Sequence, residues 1–459
     1  MRWAYEQRRI ADFAAALRRS RSLVANERRP REELEAIKRQ RLDAIVRHAA
    51  ARSPFYRERL AGLVGTASVR LEDLPVLTKT QMMESYDELV TDRRLQRDRL
   101  LEWSAAQQVD DAYLGEFRVM TTSGSSGHKG LFVYDRDAWR WVLAMFLRTG
   151  ETLGMRPKIP RRKIAALHGA AQAHMSRQVT IGVGVGVHNV MTLPATTALP
   201  EAVATLNEFQ PDALTGYPSV VARLAEEQLR GRLRISPSVV VTSSELQTRK
   251  VAERLREAFG CRPYDVFAST EGLWGIDCEK HDGVHLFEDV TVVENVDDDG
   301  NAVPPGQKGA RLLLTSLVNR TQPIIRLELT DVMALDYEPC SCGRTLVRAR
   351  TIEGRQDDVI QLPGTGGAPV TLTPIEFAIV SRDPDVVEFQ VVQSGARLDI
   401  RVVAGERVNG GLEQRLGATL ASRLAELGAR ETEVHVERVA GLERTAGGKL
   451  QLIVADRAR

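Results

Sequence analysis

The residues from Thr121 to Gly130 form the densest group of small polar side chains in the sequence, reading Thr-Thr-Ser-Gly-Ser-Ser-Gly-His-Lys-Gly. Glycines let successive backbone N–H groups turn toward an anion, the hydroxyls add donors, and Lys129 adds a positive charge. The stretch lacks the Gly-x-x-x-x-Gly-Lys-[Ser/Thr] spacing of a Walker loop. On its own it predicts either a phosphate-binding loop or an ordinary surface loop, since small polar residues are common in loops.

Four further stretches along the chain combine charged or hydroxyl side chains in short runs. Tyr264–Glu271 ends in a hydroxyl and a carboxylate, and Ile325–Asp331 ends in a carboxylate. Gly354–Asp358 combines an arginine with acids, and Arg444–Lys449 ends in a lysine after two glycines. Taken singly, each motif also has an ordinary explanation, because acids and lysines are mostly exposed and Gly-rich stretches form turns.

Three of the four cysteines fall into two short motifs. Cys278 and His281 have Cys-x-x-His spacing, and Cys340 and Cys342 have Cys-x-Cys spacing. Three thiolates and one imidazole make a tetrahedral zinc set, for which His285 is the substitute histidine. The alternative is a group of unrelated buried thiols and a surface histidine.

The composition is that of an ordinary globular protein. Apolar residues make up 43% and charged residues 27% of the 459 residues, and the formal net charge is +2. So small a charge predicts no nucleic-acid partner and no membrane surface, and no apolar run is long enough to span a bilayer. Four cysteines are too few for a disulfide scaffold, which predicts a reducing cytoplasm, and Cys261 is interpreted as a core residue.

The hydrophobic pattern divides the chain into a large first part and a small second part. Residues 1–115 are predicted to be a helical entry region, after which apolar strand-like runs alternate with helical stretches. That alternation predicts an α/β fold with mostly parallel sheets and helices outside them. Residues 284–353 predict a β-rich subdomain. We therefore expect an N-terminal domain over residues 1–353 and a small α+β domain over residues 354–459.

In this order, the five motifs resemble those of the adenylate-forming enzymes, the acyl-CoA ligase superfamily. The Ser/Gly stretch resembles the family's signature loop, and the others resemble its aromatic-x-x-Thr-Glu, Arg-x-x-Thr-Gly-Asp, Gly-Arg-x-Asp-Asp and Gly-Lys motifs. The stretches that resemble the phenylacetate–CoA ligase branch are Val46–Leu60, Leu77–Thr80, Gly216–Ser219, Thr242–Glu245 and Cys340–Arg344. With them the resemblance covers nearly the whole chain.

The resemblance implies ATP-dependent activation of a small carboxylic acid, expected to be aromatic, to an acyl-adenylate. Transfer to CoA would then give a thioester. ATP, Mg²⁺ and CoA are the implied cofactors, together with a structural zinc that some phenylacetate–CoA ligase relatives hold. In the family the small C-terminal domain is mobile and rotates between the two steps. Relatives are often homodimers, which makes a homodimer one expectation for this chain.

The resemblance also implies roles for individual residues. Lys449 is expected to pair with the carboxylate and the α-phosphate, Thr270 to contact the α-phosphate, and Glu271 to hold Mg²⁺. Asp331 is expected to accept the ribose hydroxyls, and Asp357 marks the hinge. The other expected nucleotide-binding residues lie in the loop, at the adenine and at the hinge: Thr122, Ser123, Gly124, Ser125, Ser126, Gly127, Lys129, Ser244, Glu245, Phe267, Ala268, Ser269 and Arg355.

The acid is expected to lie beside the nucleotide. In the family an aromatic residue just after the phosphate loop lines the acid pocket, which makes Tyr134 a candidate. His168 and His174 follow a predicted strand, at the edge of the sheet where ligands of open α/β sheets bind. Tyr217 is their expected neighbour. Each aromatic could instead be part of the ordinary core.

Two departures from the family pattern leave alternatives open. Glu328–Asp331 stands where the family has Thr-Gly-Asp, which keeps Asp331 but changes the local turn. The Gly-rich segment that follows the hinge in the family is replaced by Leu362–Pro374, which puts CoA in question as the acceptor. One alternative is therefore an adenylating enzyme that passes the acyl group to an amine, an alcohol or a carrier-protein thiol. Another is a non-catalytic nucleotide-binding homologue, against which the complete set of motifs argues.

Overall fold

A computed structural model describes most of the chain. The described residues are 2–63, 69–107, 111–122, 130–169, 174–365, 367–405, 408–429, 432–445 and 447–454.

Helices occur along the whole described chain, most densely before residue 107. The α-helices are α1 (Arg2–Asn26), α2 (Arg31–Arg52), α3 (Pro54–Arg59), α4 (Lys79–Glu84), α5 (Tyr86–Leu89), α6 (Arg97–Ala106), α7 (Arg136–Thr152), α8 (Met175–Val183), α9 (Leu199–Phe209), α10 (Pro218–Leu229), α11 (Arg249–Phe259) and α12 (Leu412–Glu426). Short 3-10 helices cover Leu71–Asp73, Gln356–Asp358 and Pro374–Arg382. None of the described helices combines the length and the apolar character needed to cross a membrane.

Strands begin only after residue 117 and then alternate with helices. They are β1 (Arg118–Thr121), β2 (Leu131–Tyr134), β3 (Lys163–His168), β4 (Asn189–Pro194), β5 (Ala213–Gly216), β6 (Val239–Ser243), β7 (Tyr264–Ala268), β8 (Trp274–Asp277), β9 (Val284–Leu286), β10 (Thr291–Val296), β11 (Arg311–Ser316), β12 (Leu327–Leu329), β13 (Asp331–Asp336), β14 (Arg348–Arg355), β15 (Ile360–Leu362), β16 (Val370–Leu372), β17 (Val386–Ser394), β18 (Arg397–Ala404), β19 (Glu433–Arg438) and β20 (Ile453–Val454).

Local sequence explains where two of the helices begin and end. At the start of α4, the Thr78 hydroxyl accepts the Gln81 N–H while the Gln81 side chain accepts the Thr78 N–H, which is a capping box. α11 starts where the Thr248 hydroxyl accepts the Val251 N–H. It stops at Gly260, whose φ of 74° closes the helix in the left-handed region.

The chain folds into two compact units, and unit 1 comprises Met1–Arg162, Ala171–Asn189 and Tyr264–Thr351. In it, α1 packs along α7, and β1 and β2 form an antiparallel hairpin. β7, β8, β9 and β14 are successive antiparallel neighbours, with β13 beside β14. A separate antiparallel sheet has the order β10, β11, β12.

Unit 2 comprises Lys163–Ala170, Val190–Pro263 and Ile352–Arg459. β3, β5 and β6 are parallel neighbours in it, and β4 flanks β3. Leu214 of β5 and Val240 of β6 are fully buried in one core cluster with Leu206, Val221 and Leu255 from α9, α10 and α11. Continuous apolar runs are what parallel strands need when helices cover them.

Within unit 2, the residues after the predicted hinge build a hydrophobic core of their own. Phe389 and Ile400 from β17 and β18 are buried there with Leu416 and Leu420 from α12. The sheet has the order β19, β18, β17, β20, in which β17 and β18 are antiparallel and the outer pairs are parallel. A separate core is typical of a separate domain, while the domain boundary at residue 353 stays a prediction.

The predicted α/β class is confirmed, and the strand pairing is mixed. β3, β5 and β6 are parallel as predicted, whereas β7, β8, β9 and β14 pair antiparallel. The reason lies in the connections, because a short turn joins β7 to β8, and parallel neighbours need a much longer crossover.

Candidate active site

The two ends of the Ser/Gly stretch meet at the turn end of the β1–β2 hairpin. The Thr122 N–H donates to the Gly130 carbonyl and the Gly130 N–H donates to Thr122 Oγ1, both at 3.0 Å. A Cβ at residue 130 would lie 2.8 Å from Phe132 and Thr122 side-chain atoms, so a larger residue there would force those side chains to shift. The rest of the predicted phosphate loop lies outside the described residues: Ser123, Gly124, Ser125, Ser126, Gly127 and Lys129.

A lysine that the motifs had not assigned stands at the base of this loop. Lys79, at the start of α4, brings its Nζ to 3.4 Å from Thr122 Oγ1. The backbone of Leu77, two residues before Lys79, is fixed by two hydrogen bonds. The Leu77 N–H donates to the Arg326 carbonyl and the Glu328 N–H donates to the Leu77 carbonyl, both at 2.9 Å. The Leu-Thr-Lys-Thr resemblance was the available signal. A positive charge at this point favours an anion in the loop.

Thr270 and Glu271 lie in a tight turn between β7 and β8. The Ser269 N–H donates to the Leu273 carbonyl at 2.9 Å, and the Gly272 N–H donates to the Ser269 carbonyl at 3.2 Å. Gly272 has a φ of 107°, which glycine tolerates and other residues rarely adopt. The turn therefore fixes the backbone of both predicted catalytic residues.

Tyr134 is buried and its hydroxyl donates to the Thr270 carbonyl at 2.6 Å. Burial raises the pKa of Tyr134, and the charge of Glu271 adds to the shift, so the phenol stays a donor. We had predicted that Tyr134 lines the acid pocket. The structure instead gives its hydroxyl a positioning contact with Thr270, and the pocket role of the ring stays a prediction.

We expect Tyr134→Phe to lower the ATP-dependent turnover by about threefold to tenfold, because the Thr270 carbonyl loses its partner. Tyr56→Phe is the control at a similarly buried tyrosine, whose hydroxyl donates to the Pro323 carbonyl at 3.1 Å and accepts the Ile325 N–H at 3.3 Å. Thermal denaturation should show at least as large a loss of stability in Tyr56→Phe, and only Tyr134→Phe should lose turnover. Equal turnover in the two variants would contradict the positioning role.

Three other predicted nucleotide residues of unit 1 lie at strand ends. Phe267 and Ala268 close β7, opposite Gly275 and Trp274 of β8. Asp331 opens β13 directly after β12, which is how this chain accommodates its departure from the Thr-Gly-Asp motif. Their contacts with a nucleotide stay predictions.

In unit 2, Lys449 belongs to a small hairpin in which Arg444 and Leu450 face each other. The Thr445 N–H donates to the Lys449 carbonyl at 2.9 Å, and the Lys449 N–H donates to Thr445 Oγ1 at 3.2 Å. Both bonds join Lys449 to Thr445 across the turn and so fix the backbone of Lys449.

The Lys449 side chain reaches Tyr217, which was predicted to line the acid pocket. Its Nζ lies 5.7 Å from the centre of the Tyr217 ring, within the range of a cation–π contact. The Tyr217 ring meets the His168 ring edge-on, with the ring centres 6.2 Å apart. Burial raises the pKa of Tyr217 to about 12, so its phenol is neutral at physiological pH. The structure thus brings Lys449, Tyr217 and His168 together.

The glycine of the Gly-Lys motif has a spatial explanation. Gly448 has a φ of 82°, and a Cβ there would lie 2.9 Å from the Ala195 side chain. The Ala195 N–H in turn donates to the His168 carbonyl at 2.8 Å. Only glycine lets the hairpin approach this part of unit 2 so closely.

Glu245 makes contacts that differ from the predicted adenine wall. Its Oε1 accepts the Leu450 N–H at 2.7 Å and its Oε2 accepts the Ser219 N–H at 3.0 Å. Desolvation raises the pKa of Glu245, and the two amide donors oppose that rise. Ser244, just before it, is exposed with a φ of 71°, and its adenine contact stays a prediction.

The remaining predicted residues lie at element ends. β14 ends at Arg355, which is exposed, and the backbone of Asp357 belongs to the 3-10 helix that follows. His174 is the N-cap residue of α8 in unit 1. Their roles at the hinge and the acid pocket stay predictions.

Four side chains of unit 1 meet in a group that has the composition of a zinc site. The ligand atoms of Cys278, His285, Cys340 and Cys342 all lie within 4.8 Å of one another. Cys278 Sγ is 3.9 Å from Cys340 Sγ, and Cys342 Sγ is 3.4 Å from His285 Nε2. Tetrahedral zinc separates two sulfurs by about 3.8 Å and a sulfur from a nitrogen by about 3.5 Å. The donor set therefore fits zinc in kind and spacing.

The structure reverses our choice of histidine. His281 has a φ of 52° and its ring bonds to Asp277, and the histidine whose ligand atom lies among the thiols is His285. His285 lies on β9 opposite Arg348 of β14, and its Nδ1 is 3.3 Å from the Leu346 carbonyl. Because a carbonyl only accepts, Nδ1 must carry the proton, which leaves Nε2 open toward Cys342. Burial lowers the pKa of His285 to about 4, so the ring is neutral.

A buried charge network ties this group to the N-terminal helices. Arg344 is 3.7 Å from Cys342 Sγ and pairs with Glu27 and Glu279, both at 2.7 Å. Glu27, just after α1, also pairs with Arg148 of α7 at 2.7 Å. The cysteine group thus shares a network with α1 and α7, whose charges are costly to leave unpaired.

Comparison with known proteins finds relatives of similar sequence and solved structures of similar fold. No protein-family model matches the chain. It is 28% identical over 383 residues to a phenylacetate–coenzyme A ligase of Thermus thermophilus, which covers 79% of each chain. It is 24% identical over 441 residues to Protein CapK of Staphylococcus aureus, covering 92% of this chain and 89% of CapK.

A solved structure has the same fold. The crystal structure of 2-hydroxyisobutyryl-CoA ligase in the postadenylation state, with its acyl-AMP, aligns with a TM-score of 0.73 and 22% identity over 94% of this chain and 91% of that one. Both the predicted resemblance and the predicted fold are thereby confirmed. The chain is thus similar in sequence to phenylacetate–CoA ligases and similar in fold to 2-hydroxyisobutyryl-CoA ligase.

Proposed function

We propose that this protein is an AMP-forming acid–CoA ligase, which activates a carboxylic acid with ATP and passes the acyl group to CoA. The observation that carries the proposal is the placement of Lys449. Its hairpin is held against Glu245 and Ser219, and its ammonium group lies over Tyr217 beside His168. A surface lysine with no function would need no such support. The names of the relatives point to the same reaction.

In the first step, a carboxylate oxygen forms a bond to the α-phosphorus of ATP, and the bond to the β-phosphate breaks to release pyrophosphate. Both reactants are anions, so the site has to supply positive charge where they meet. Lys449 would pair with the carboxylate and the α-phosphate. The Thr121–Gly130 loop would hold the outer phosphates, with Lys79 at its base. Glu271 would hold Mg²⁺, which offsets phosphate charge.

In the second step, the CoA sulfur forms a bond to the acyl carbon, the acyl–phosphate bond breaks, AMP leaves, and the thiol proton is lost. The predicted hinge at Arg355 and Asp357 would let the C-terminal domain turn away from its adenylation contacts between the steps. Lys449 would leave the site in that movement. The two steps would therefore use different contacts of the same domain.

The acid pocket would lie around Tyr217 and His168. Tyr217 lies 5.7 Å from the Lys449 ammonium group and edge-on to His168, and its ring would offer an aromatic contact to an aromatic acid. His168 and His174 would provide hydrogen bonds to polar substituents of that acid. A homodimer and a cytoplasmic location remain predictions that accompany the proposal.

A specific sequence feature favours an alternative to CoA as the acyl acceptor. Leu362–Pro374 replaces the family's Gly-rich segment, and in this chain its ends pair as the β15–β16 hairpin. Because that segment helps to build the thioester-forming face in the family, an amine, an alcohol or a carrier-protein thiol is the alternative acceptor.

Turnover with and without CoA separates these acceptors. We expect a panel of aromatic and short hydroxy acids with ATP and Mg²⁺ to release pyrophosphate slowly, because the adenylate stays bound. CoA should raise turnover by about tenfold or more, since it removes the bound intermediate, and mass spectrometry should detect the acyl thioester. Turnover that rises with hydroxylamine or another amine but not with CoA, with no thioester formed, would favour the alternative.

We also infer a structural zinc ion held by Cys278, His285, Cys340 and Cys342. Support comes from the two short ligand distances and from the Leu346 carbonyl that orients the His285 ring. The ion would join the end of β8, β9 and the Cys340–Gly343 turn. Its role would be to stabilise the fold, because four protein ligands leave no open position for a reactant.

A further inference from the structure

A carboxylate outside the catalytic motifs anchors the lysine hairpin. Glu245 follows β6, and its Oε1 accepts the backbone N–H of Leu450, the residue after Lys449, at 2.7 Å. Its Oε2 accepts the Ser219 N–H at 3.0 Å. Both carboxylate oxygens are thus used by backbone donors from two different parts of unit 2.

The other strand of the hairpin is anchored at the same place. Arg444 Nη1 donates to Ser219 Oγ at 2.7 Å, and the Arg444 guanidinium pairs with Glu388 of β17. The Glu388 side chain is 4% exposed, so the pair is strongly shielded from water. Arg444 and Leu450 face each other across the hairpin. Because each strand has its own contact, the hairpin cannot pivot about either one.

We propose that Glu245 is a positioning residue for adenylation, holding Lys449 over Tyr217 through the Leu450 amide and releasing that amide before acyl transfer. The inference rests on the proposed function. Glu245 reaches a backbone donor, so the contact depends on the place of the hairpin and on no particular side chain at residue 450. A hydrogen bond to a charged group is stronger than a neutral one, which suits a contact that must fix a lysine.

On this proposal the contact belongs to the arrangement of the hairpin that serves adenylation. A second contact also joins residues before and after the predicted hinge within unit 2. Arg254 Nη2 of α11 donates to the Pro384 carbonyl at 3.1 Å. When the hairpin leaves, Glu245 loses the Leu450 donor while Ser219 stays. Removing the carboxylate should therefore weaken the step that needs Lys449 in place and spare the step that follows its departure.

Hydrogen–deuterium exchange tests the anchor without any substrate. We expect the Leu450 amide to exchange about tenfold faster in Glu245→Ala than in the wild type, with Glu245→Gln in between because its carbonyl can still accept one amide. Glu443→Gln is the matched control, since Glu443 is an exposed acid on the same segment with a side chain 86% exposed. Unchanged exchange in Glu245→Ala would overturn the proposal.

The two half-reactions test its consequence. With an acid that the wild type activates, we expect Glu245→Gln to slow ATP–pyrophosphate exchange by about tenfold to a hundredfold, the range for a lost hydrogen bond to a charged group. Thioester formation from supplied acyl-adenylate and CoA should change less than about threefold by the same reasoning, because it does not need that bond. Equal slowing of both steps would show a merely structural role and reject the proposal.

Ser219→Ala provides a milder variant if the changes at Glu245 prevent folding. It removes the hydroxyl that accepts from Arg444 and bonds to Glu245, and it keeps the backbone N–H that donates to Glu245. Pyrophosphate exchange should therefore fall in the same direction by a smaller factor. A wild type that exchanges no pyrophosphate with any acid would refute the proposed function instead, and the amide-exchange result would still decide whether Glu245 anchors the hairpin.

Discussion

Lys449→Ala is expected to slow acyl-adenylate formation by about a hundredfold to a thousandfold, the usual cost of removing one preorganised electrostatic contact from a transition state. The carboxylate and the α-phosphate repel each other as they meet, and Lys449 is placed to offset that repulsion. Single-turnover measurement of adenylate formation checks the prediction. The KM for ATP should change little, because the loop and the turn at Thr270 would still bind the nucleotide.

The effect should be specific to the first step and to this lysine. Acyl transfer from supplied acyl-adenylate to CoA should stay within about threefold of the wild-type rate, since the hairpin is expected to have left the site by then. Lys158→Ala, a change at an exposed lysine, should leave both steps unchanged. Lys449→Arg should recover part of the first step because it keeps the charge. Normal adenylate formation by Lys449→Ala would reject the assigned role.

Loss of the cysteine group should have the largest effect on stability. We expect Cys278→Ser to reduce bound zinc from one ion per chain to nearly none, as measured by elemental analysis, because the softer thiolate is lost from a buried site. A loss of about 3 kcal/mol would lower the thermal midpoint by about 6–12 °C in a unit of this size. Amide exchange should rise first around β9 and the Cys340–Gly343 turn.

The loosening should extend to the helix that Arg344 holds. Arg344 pairs with Glu27, and the Thr345 N–H donates to the Glu27 carbonyl at 2.8 Å. If the turn moves when the metal is lost, the C-terminal end of α1 loses both partners. Increased exchange there, with none at β3 or β5, is the expected pattern.

Two histidines and one distant cysteine supply the controls. His285→Asn should lose zinc and stability like Cys278→Ser, whereas His281→Asn should keep the metal, because its ring bonds to Asp277. Cys261→Ser should also keep it, since Cys261 lies apart with its Sγ near the Pro237 carbonyl. Wild-type protein that is zinc-free and equally stable would contradict the metal site. So would zinc loss in His281→Asn alone.

Local sequence predicted much of the fold. Apolar strand-like runs were predicted to alternate with helices after residue 115, and β3, β5, β6 and β7 lie there, because continuous apolar runs between helices are typical of covered strands. Long-range pairing was beyond the local pattern. β20 is only Ile453–Val454 and exists because it pairs with β17, which no spacing of its own residues indicates.

The motifs predicted candidate site residues, and packing decided what several of them touch. Lys449 was predicted from Gly-Lys, and the structure adds the Tyr217 contact. Glu245 was assigned to adenine, yet both its oxygens accept backbone amides. The choice between His281 and His285 depended on β9 pairing with β8 and β14. Such contacts join residues far apart in sequence, so their partners cannot be read from a local motif.

Acid-dependent ATP–pyrophosphate exchange tests the central claim most directly. With Mg²⁺ and a panel of aromatic and short hydroxy acids, the wild type should return labelled pyrophosphate to ATP only when a suitable acid is present, and AMP should be the nucleotide product once CoA is added. Lys449→Ala should abolish most of that exchange in folded protein. Release of ADP and phosphate instead, or no exchange with any acid, would contradict acyl adenylation by this chain.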